Sequence, residues 1–260
     1  MYNVLKTNNK IDKIDFNSGD GLKFDGIDDY VTIPYNSGWA LKNTDSFSLS
    51  FIVKCINPLD TNQNFLFSTE NFLSGYNSGI RFAIRPSTGL ILSASLRQST
   101  SPESGVALSK LGAFDNTIVN HFVATWRNKE PISIYVNGVL LTGTSYTVNS
   151  IVSIENTEPI VTYNKITNVF NNIIMDDFKL FRKELTQLEV TKLYQTQGQL
   201  IPSTAQANLL ADWRFEDKQG TILKDYSPNN YNGTLTNFSN TTLGVNNAWV
   251  NKYGNSIQQL

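Results

Sequence analysis

Alternation of apolar and polar residues with a period of two is the feature that most limits the folds open to this chain of 260 residues. Four segments show it clearly: 47–54, 80–85, 90–97 and 132–136. Such alternation is typical of half-buried antiparallel strands. The pair Asn137–Gly138 between two apolar runs indicates a type I′ hairpin, because both central residues of that turn need positive φ. The sequence therefore predicts an all-β fold, a two-sheet antiparallel jelly-roll sandwich.

One segment, near 186–197, departs from this period and is predicted to be a short structural helix. Thr186 and Glu189 match the T-x-x-E capping box, in which each side chain satisfies the other residue's backbone N–H. Gly198 can end the helix, because glycine adopts the left-handed conformation readily.

The charge balance excludes several classes of partner. The chain has a formal net charge of -1 with 17% charged residues and no basic stripe, so nucleic-acid binding is not expected. No run approaches the ~20 apolar residues of a membrane span, so we expect no membrane insertion.

The single cysteine, Cys55, cannot form an internal disulfide and is predicted to be a small buried residue.

Four motifs resemble those of the laminin-G-like, concanavalin A-like lectin and glucanase jelly-roll family. They are LKFDGIDDYVTIP at 22–34, NHFVATWRNKEPISIYVNGVLL at 120–141, IMDDFKLFRKELTQLEVTKLY at 174–194 and ADWRFEDKQGTILKDYSPNNYNGTLTN at 211–237. The resemblance implies the concanavalin A-like sandwich. It says less about function, because this fold hosts lectins, glycan hydrolases, adhesion modules and virion proteins.

The order of the motifs bears on the domain organisation, because the family usually has the W-x-F stretch before the F-D-G motif and here it comes last. We expect residues 1–20 to be an N-terminal extension and residues 21–260 to form one sandwich, in which 205–260 contribute closing strands. The alternative is a sandwich of 21–200 and a partial second unit, 205–260, that pairs with a neighbouring subunit.

Three carboxylates interrupt the strand-like run at 22–34: Asp25, Asp28 and Asp29. Asp25 precedes a glycine, and aspartates at turns accept hydrogen bonds from their own downstream amides, so turn formation explains part of the pattern. Another doublet stands at Asp176 and Asp177. The resemblance implies a structural calcium near the rim of the sandwich, and Asp25 and Asp177 are the candidate ligands.

Arginines on two neighbouring strands are candidate ligand-binding residues. If 80–85 and 90–97 pair as a hairpin, then Arg81, Arg85 and Arg97 share one sheet face with Ser93 and Ser95. Guanidinium groups suit the carboxylates of acidic sugars. The alternative is a solvated outer face with no ligand.

Aromatic residues in loop-like segments are the other binding candidates. Trp39 and Tyr76, with Tyr35, could stack on the C–H faces of sugars, or could pack against neighbouring loops. The tryptophans in strand contexts are predicted to be core instead: Trp126, Trp213 and Trp249.

Catalysis is not expected. Hydrolases of this fold carry carboxylates in an E-x-D-x-x-E string, which is absent from the sequence. His121 is the only histidine, and its position resembles a structural strand of the family, so a Ser–His–acid set is not expected.

These observations favour a non-catalytic, lectin-like module for binding or assembly. We expect an exposed component of a bacteriophage virion, such as a head decoration, fibre or tail adhesin, made in the host cytoplasm because residues 1–16 contain no signal-like apolar stretch. Its partners would be host glycans or other virion or surface proteins, with a homo-oligomer left open. The alternative is an extracellular or cell-surface bacterial carbohydrate-binding module whose leader is missing, and a glycan hydrolase comes third.

Overall fold

The structure, a computed structural model, describes residues 20–39, 46–57, 62, 64–69, 71–73, 76–85, 91–97, 106–108, 115–127, 132–142, 158–163, 167–239 and 248–251. The first strands within these residues are β1 (Asp20–Lys23), β2 (Tyr30–Ile33), β3 (Phe47–Cys55), β4 (Asn64–Ser68), β5 (Asn71–Leu73), β6 (Tyr76–Arg85), β7 (Ile91–Arg97), β8 (Val106–Leu108) and β9 (Val119–Trp126). There follow β10 (Ser133–Val136), β11 (Val139–Leu140), β12 (Ile160–Val161), β13 (Ile173–Phe181), α1 (Gln187–Gln195), α2 (Ser203–Gln206), β14 (Leu209–Trp213), β15 (Ile222–Leu223), β16 (Gly233–Thr236) and β17 (Trp249–Asn251). Residues 1–19 of the expected N-terminal extension lie outside the described part of the chain.

The strands form two antiparallel sheets, which confirms the predicted jelly-roll sandwich. Sheet A has the order β11-β10-β9-β3-β13-β1-β17, and β14 also pairs with β13. Sheet B has the order β15-β16-β2-β12-β4-β6-β7-β8, with β5 paired to β6. Strands from the last third of the chain enter both sheets, since β14 pairs with β13, β17 with β1 and β16 with β2.

The core lies between the sheets and is rich in aromatic rings. Phe51 of sheet A stacks on Phe82 of sheet B at 5.3 Å and on Phe178 at 4.4 Å between ring centroids. Phe178 in turn packs on Trp213 at 4.6 Å. The strand-borne tryptophans are buried, as predicted: Trp126, Trp213 and Trp249. Cys55 is also buried, as expected.

Local signals in the sequence produce the predicted turn and helix. Asn137 and Gly138 have φ of 50° and 78°, which the type I′ hairpin requires. Thr186 caps α1, and the reciprocal capping box with Glu189 is present.

Helix α1 packs on the outer face of sheet A. Val190 and Leu193 of the helix lie in one buried apolar cluster with Val123 of β9 and Phe181 of β13. Gly198, with φ of 76°, follows the helix and passes so close to Asp177 that a Cβ there would overlap the carboxylate. The helix and its C-terminal turn therefore cover the polar residues of β13.

Candidate functional site

The turn at residues 25–29, called the acidic turn below, joins β1 to β2 at one end of the sandwich. Asp25 Oδ1 accepts a hydrogen bond from the Ile27 amide at 2.8 Å, and Gly26 has φ of 81°. Asn237 Nδ2 donates to the carbonyl oxygen of Asp28 at 3.2 Å, which ties the turn to the segment after β16. The turn-forming role that the sequence indicated for Asp25 is therefore present.

Asp29 is the unusual member of the acidic turn, because its carboxylate is buried. Its Oδ2 accepts a hydrogen bond from the Asp25 amide at 2.9 Å, but its Oδ1 is buried without a hydrogen-bond partner. Burial raises the pKa of this carboxyl to about 7, and the charges of Asp25 and Asp28 add to the effect. A buried carboxylate oxygen without a partner is costly unless a cation or a proton compensates it.

The acidic turn has the donor set that a hard cation requires. One carboxylate oxygen from each of Asp25, Asp28 and Asp29 lies within 4.8 Å of the others, and the first two residues are exposed. Calcium takes six to eight oxygen ligands, which side chains, carbonyl groups and water can supply together. The turn could therefore hold a metal ion such as calcium.

Asp177, the other residue predicted to bind calcium, is not part of this arrangement. Phe24, which directly precedes the acidic turn, donates a backbone hydrogen bond to Ile173 of β13. Asp177 lies four residues beyond Ile173 on the same strand, which is a distance of about 13 Å. Its carboxylate contacts Lys179 Nζ, so a lysine occupies the place where the sequence suggested a metal. Asp25 and Asp177 therefore lie in different surroundings, and calcium binding by either residue stays a prediction.

A β-bulge in β13 explains how two consecutive aspartates come to be buried in a strand. Between the pairs Asp176–Ile52 and Lys179–Ser50, two residues of β13 oppose Phe51 alone, and Asp177 has φ of 53°. Phe178 enters the core, while the side chains of Asp177 and Lys179 contact each other on the outer face of sheet A.

Lys179 is the centre of a buried ion-pair cluster on the outer face of sheet A. Its Nζ lies 2.8 Å from Asp212 Oδ1, and Asp212 Oδ2 accepts from Arg214 at 2.8 Å. Burial raises the pKa of Asp176 well above its ordinary value, and the neighbouring Asp177 adds to the shift. The carboxylates of Asp177 and Asp212 thus have the buried Lys179 as their structural partner.

His121 lies beside this cluster and forms no catalytic set. Its Nε2 lies 2.9 Å from Ser50 Oγ, and its Nδ1 has no hydrogen-bond partner. Burial, together with the charge of Lys179, lowers the pKa of His121 to about 3, so the imidazole is neutral. Both side chains are fully buried and the ring stacks on Tyr194 of α1, so substrate has no access to them.

The arginine positions lie on one face of sheet B in the register of its strands. In the β6–β7 pairing, Arg81 opposes Ser95 and Gly79 opposes Arg97. Arg85 lies four residues after Arg81 in β6, so its position is on the same face of the sheet. The guanidinium of Arg81 lies 5.9 Å from the ring centroid of Phe65. The hairpin expected from the sequence is present, and ligand binding by these positions stays a prediction.

Trp39 is not a platform for sugar stacking, which corrects the expectation from its loop-like sequence. The side chain is fully buried, and its Nε1 donates to the carbonyl oxygen of Pro34 at 3.2 Å. The neighbouring Tyr35, packed edge-on against Trp39, is exposed. Tyr76 is the first residue of β6 and pairs with Leu73.

Three other rings, called the aromatic trio below, were missed by sequence reasoning. Tyr163 stacks on Phe170 at 5.1 Å with an angle of 8° between the rings, and lies 4.8 Å from Tyr30. All three side chains are half-buried. Tyr30 directly follows Asp29 and alternates with the core residue Val31, so it faces outward. The trio therefore borders the acidic turn.

No helix among the described residues combines the length and apolar character needed to cross a membrane.

Comparisons with solved structures agree on the fold. A putative carbohydrate binding protein from Bacteroides ovatus superposes with a TM-score of 0.55 at 15% identity, covering 86% of this chain and 58% of that one. The binding domain of Paraclostridial Mosquitocidal Protein 1 gives 0.50 at 16% identity, over 68% and 47%. Trypanosoma rangeli sialidase gives 0.50 at 16% identity, over 69% and 28%. This chain thus spans less than two thirds of each of these relatives, and identities this low show the fold alone.

A match between the sequence and a family model identifies the family of the protein. No curated protein matches the chain. A laminin-G-like family model, described as the concanavalin A-like lectin/glucanases superfamily, matches residues 25–191, which include the acidic turn, the hairpin and the capped first turn of α1. The protein therefore belongs to the laminin-G-like family of the concanavalin A-like lectin/glucanase superfamily.

Proposed function

We propose that this protein is a non-catalytic carbohydrate-binding module whose glycan contacts the aromatic trio and the acidic turn. The observation that carries the proposal is the contact of Tyr30, Tyr163 and Phe170 beside three carboxylates on one rim of the sandwich. Carbohydrate sites combine flat apolar surface with a few polar groups that fix orientation. Half-buried rings supply that surface at low entropic cost, since they are already held in place by one another.

Calcium at the acidic turn is part of the proposal. Asp25, Asp28 and Asp29 would hold the ion, and the buried Asp29 Oδ1 would gain the partner that it lacks. When bound, the cation supplies positive charge that neutralises the carboxylates and stiffens the turn next to Tyr30.

The test is a glycan array followed by titration of the best glycan. Tyr163→Ala removes the central ring of the trio and is expected to weaken binding roughly five- to tenfold, the equivalent of one lost aromatic contact. Tyr35→Ala is the matched control, because it removes an exposed ring at the other end of β2. Unchanged affinity in Tyr163→Ala, or an equal loss in both variants, would show that the trio is not the platform.

A glycan hydrolase is the alternative that the carboxylates raise, and the geometry argues against it. Hydrolytic carboxyls flank the scissile bond from two sides, with about 5–9.5 Å between them. Asp25, Asp28 and Asp29 instead belong to one tight turn, and oxygens of Asp25 and Asp29 already accept backbone hydrogen bonds. Release of reducing sugar that is lost in Asp28→Asn would overturn this assignment.

The proposal extends to where the module acts. We favour the surface of a bacteriophage particle, as a head decoration, fibre or tail adhesin, with a bacterial cell surface as the alternative. A sequence rich in Asn, Thr and Ser and an exposed rim support display toward solvent. Antibody labelling of purified particles and of intact cells distinguishes the two, and labelling of neither would contradict both.

A further inference from the structure

One amine and two carboxylates meet inside the protein where β13 pairs with β14. Lys179 and Asp212 are directly opposed in the register of these two strands. Lys179 Nζ lies 2.8 Å from Asp212 Oδ1 and also contacts the carboxylate of Asp177. Lys179 and Asp212 are each only 1% exposed, and Gly198 of the turn after α1 lies against the Asp177 carboxylate. The three side chains are therefore held in contact and away from bulk water.

The two carboxylates meet the amine in different ways. Lys179 Nζ donates a hydrogen bond to Asp177 Oδ1. Asp212 Oδ1 accepts no hydrogen bond from the residues that the structure describes, although Nζ is in contact with it. The other oxygen, Asp212 Oδ2, accepts from Arg214 Nε at 2.8 Å and lies 2.8 Å from Arg214 Nη2. Asp177 is thus placed to take a proton from the amine, and Arg214 is placed to hold charge on the Asp212 carboxyl group.

Formation of an amide from a lysine and an aspartate requires the groups that this arrangement supplies. The amine must lose a proton before it can act as a nucleophile, so a neighbouring base is needed. A cation must stabilise the charge that develops on the carboxyl oxygen during attack. The partners must also be held together, and well-oriented groups of one molecule reach effective concentrations of about 10⁵–10⁸ M. Exclusion of bulk water favours the amide, because water would hydrolyse it and because charges are costly to bury.

We propose that Lys179 and Asp212 form an intramolecular isopeptide bond, an amide that joins Nζ to Cγ between β13 and β14. Asp177 takes a proton from the Lys179 ammonium, and the freed electron pair of Nζ attacks Cγ of Asp212. Arg214 stabilises the negative charge on Oδ2 in the tetrahedral intermediate. Asp177 passes this proton, and then a second one from Nζ, to Oδ1, which leaves as water when the Cγ–Oδ1 bond breaks. The ammonium and the carboxylate thus become one amide and one water molecule, and Asp177 ends as it began.

The ion pair in the structure is the arrangement before this reaction. The amide ties β14, from the last third of the chain, to the middle of sheet A, and it does not depend on glycan or calcium at the rim. Removal of the lysine abolishes both the ion pair and the amide. Loss of stability therefore does not distinguish the two, whereas the mass of the protein does.

Mass spectrometry of the denatured wild-type protein is the test. The protein is expected to be lighter by the mass of one water molecule than its sequence requires. Trypsin does not cleave after a lysine whose Nζ is in an amide, so digestion is expected to release residues 166–182 joined to residues 193–214 as one branched peptide. Fragmentation of this peptide should place the link between Lys179 and Asp212.

Two variants test the roles of the amine and of the base. Lys179→Arg keeps a positive charge but has no amine that can form this bond, so its full sequence mass is expected. Asp177→Asn cannot take the proton, so the linked fraction at a fixed time after purification is expected to fall roughly tenfold or more. The central measurement is made on the wild-type protein, so the test does not depend on the folding of either variant.

Two controls accompany these measurements. Lys183 Nζ lies 2.7 Å from Glu189 Oε1, but this lysine reaches the surface, so its pair is expected to remain unlinked in the same digest. Arg127→Gln, at an exposed arginine that contacts Glu184, is expected to keep the full loss of mass. Full mass in the wild-type protein, a link at another pair, or a loss of water that persists in Lys179→Arg would overturn the proposal.

Discussion

Lys179 of β13 and Asp212 of β14 form an ion pair, with 2.8 Å between Nζ and Oδ1, in which both side chains are buried. The pair joins the middle of sheet A to a strand from the last third of the chain. Lys179→Met is expected to lower the free energy of unfolding by about 3–5 kcal/mol, because it leaves Asp177 buried without its cation and Asp212 paired with Arg214 alone. Urea denaturation measures the loss. Arg127→Met is the control, and a loss there above about 1 kcal/mol would contradict the argument from burial.

The neutral state of His121 predicts a pH dependence of stability. The pKa of His121 is lowered from 6.5 to about 3 by burial, so the unfolded state binds a proton more readily than the folded state between those values. His121 therefore costs the folded state nothing above pH 6.5. As pH falls from 6.5 toward 3, the free energy of unfolding decreases by up to about 1.4 kcal/mol per pH unit. His121→Gln is expected to flatten this part of the profile. Parallel profiles for the two proteins, measured by urea unfolding at several pH values, would show that the histidine is not responsible.

Calcium is expected to raise the melting temperature. An ion present at 100 times its dissociation constant stabilises the folded state by about 2.7 kcal/mol, or roughly 5–10 °C for a chain of this size. The double variant Asp25→Asn with Asp28→Asn should lose the shift while keeping the turn, since asparagine forms the same turn. Asp115→Asn is the control, because Asp115 caps a similar turn through the Thr117 amide at 2.9 Å. A wild-type protein that melts at the same temperature in EDTA and in calcium has no such site.

The capping box predicts a measurable contribution of Thr186. The Glu189 carboxylate is partly desolvated, which opposes ionisation, but hydrogen bonds from Lys183, Thr204 and Thr186 hold its pKa at about 2. Thr186→Ala removes one partner and the cap of α1, so we expect a loss of about 1 kcal/mol. Thr186→Ser retains the hydroxyl and should be close to wild type. Equal losses in the two variants would point to packing of the methyl group instead.

The sequence correctly predicted the structural features that depend on residues close together in the chain. The hairpin at Asn137–Gly138 and the box at Thr186 and Glu189 are set by a few consecutive residues, so their prediction was confirmed. The alternation of apolar and polar residues also predicted the burial of the core tryptophans correctly, because the apolar positions of such a strand all lie on its buried face.

The parts that the sequence did not reveal depend on contacts between distant segments. Asp177 was named as a candidate calcium ligand, because no local sequence signal predicts the bulge in β13 or the buried ion pair with Lys179. Tyr163 and Phe170 come from irregular segments that meet Tyr30 only after sheet B has formed. Trp39 lies in a turn, which suggested exposure, but the turn folds its indole inward.

Residues beyond 200 are expected to be required for folding. A fragment of residues 1–200 lacks β14, β16 and β17, and with them Trp213 and Trp249 of the core. Each buried aromatic contributes several kcal/mol, which is comparable to the whole stability of a domain. Near-ultraviolet circular dichroism and urea unfolding should show no cooperative transition. A fragment that unfolds cooperatively with native-like signals would mean that the first two thirds fold alone.

The pairing of β1 with β17 sets Asp20 directly opposite Asn251. Opposed residues of antiparallel strands have their Cα atoms about 4.5–5.5 Å apart. Asp20 and Asn251, the first and last described residues, are thus as close as the two ends of a tight loop. A carrier protein could accept residues 20–251 as an insertion in one of its own surface loops, with no stretching of its backbone.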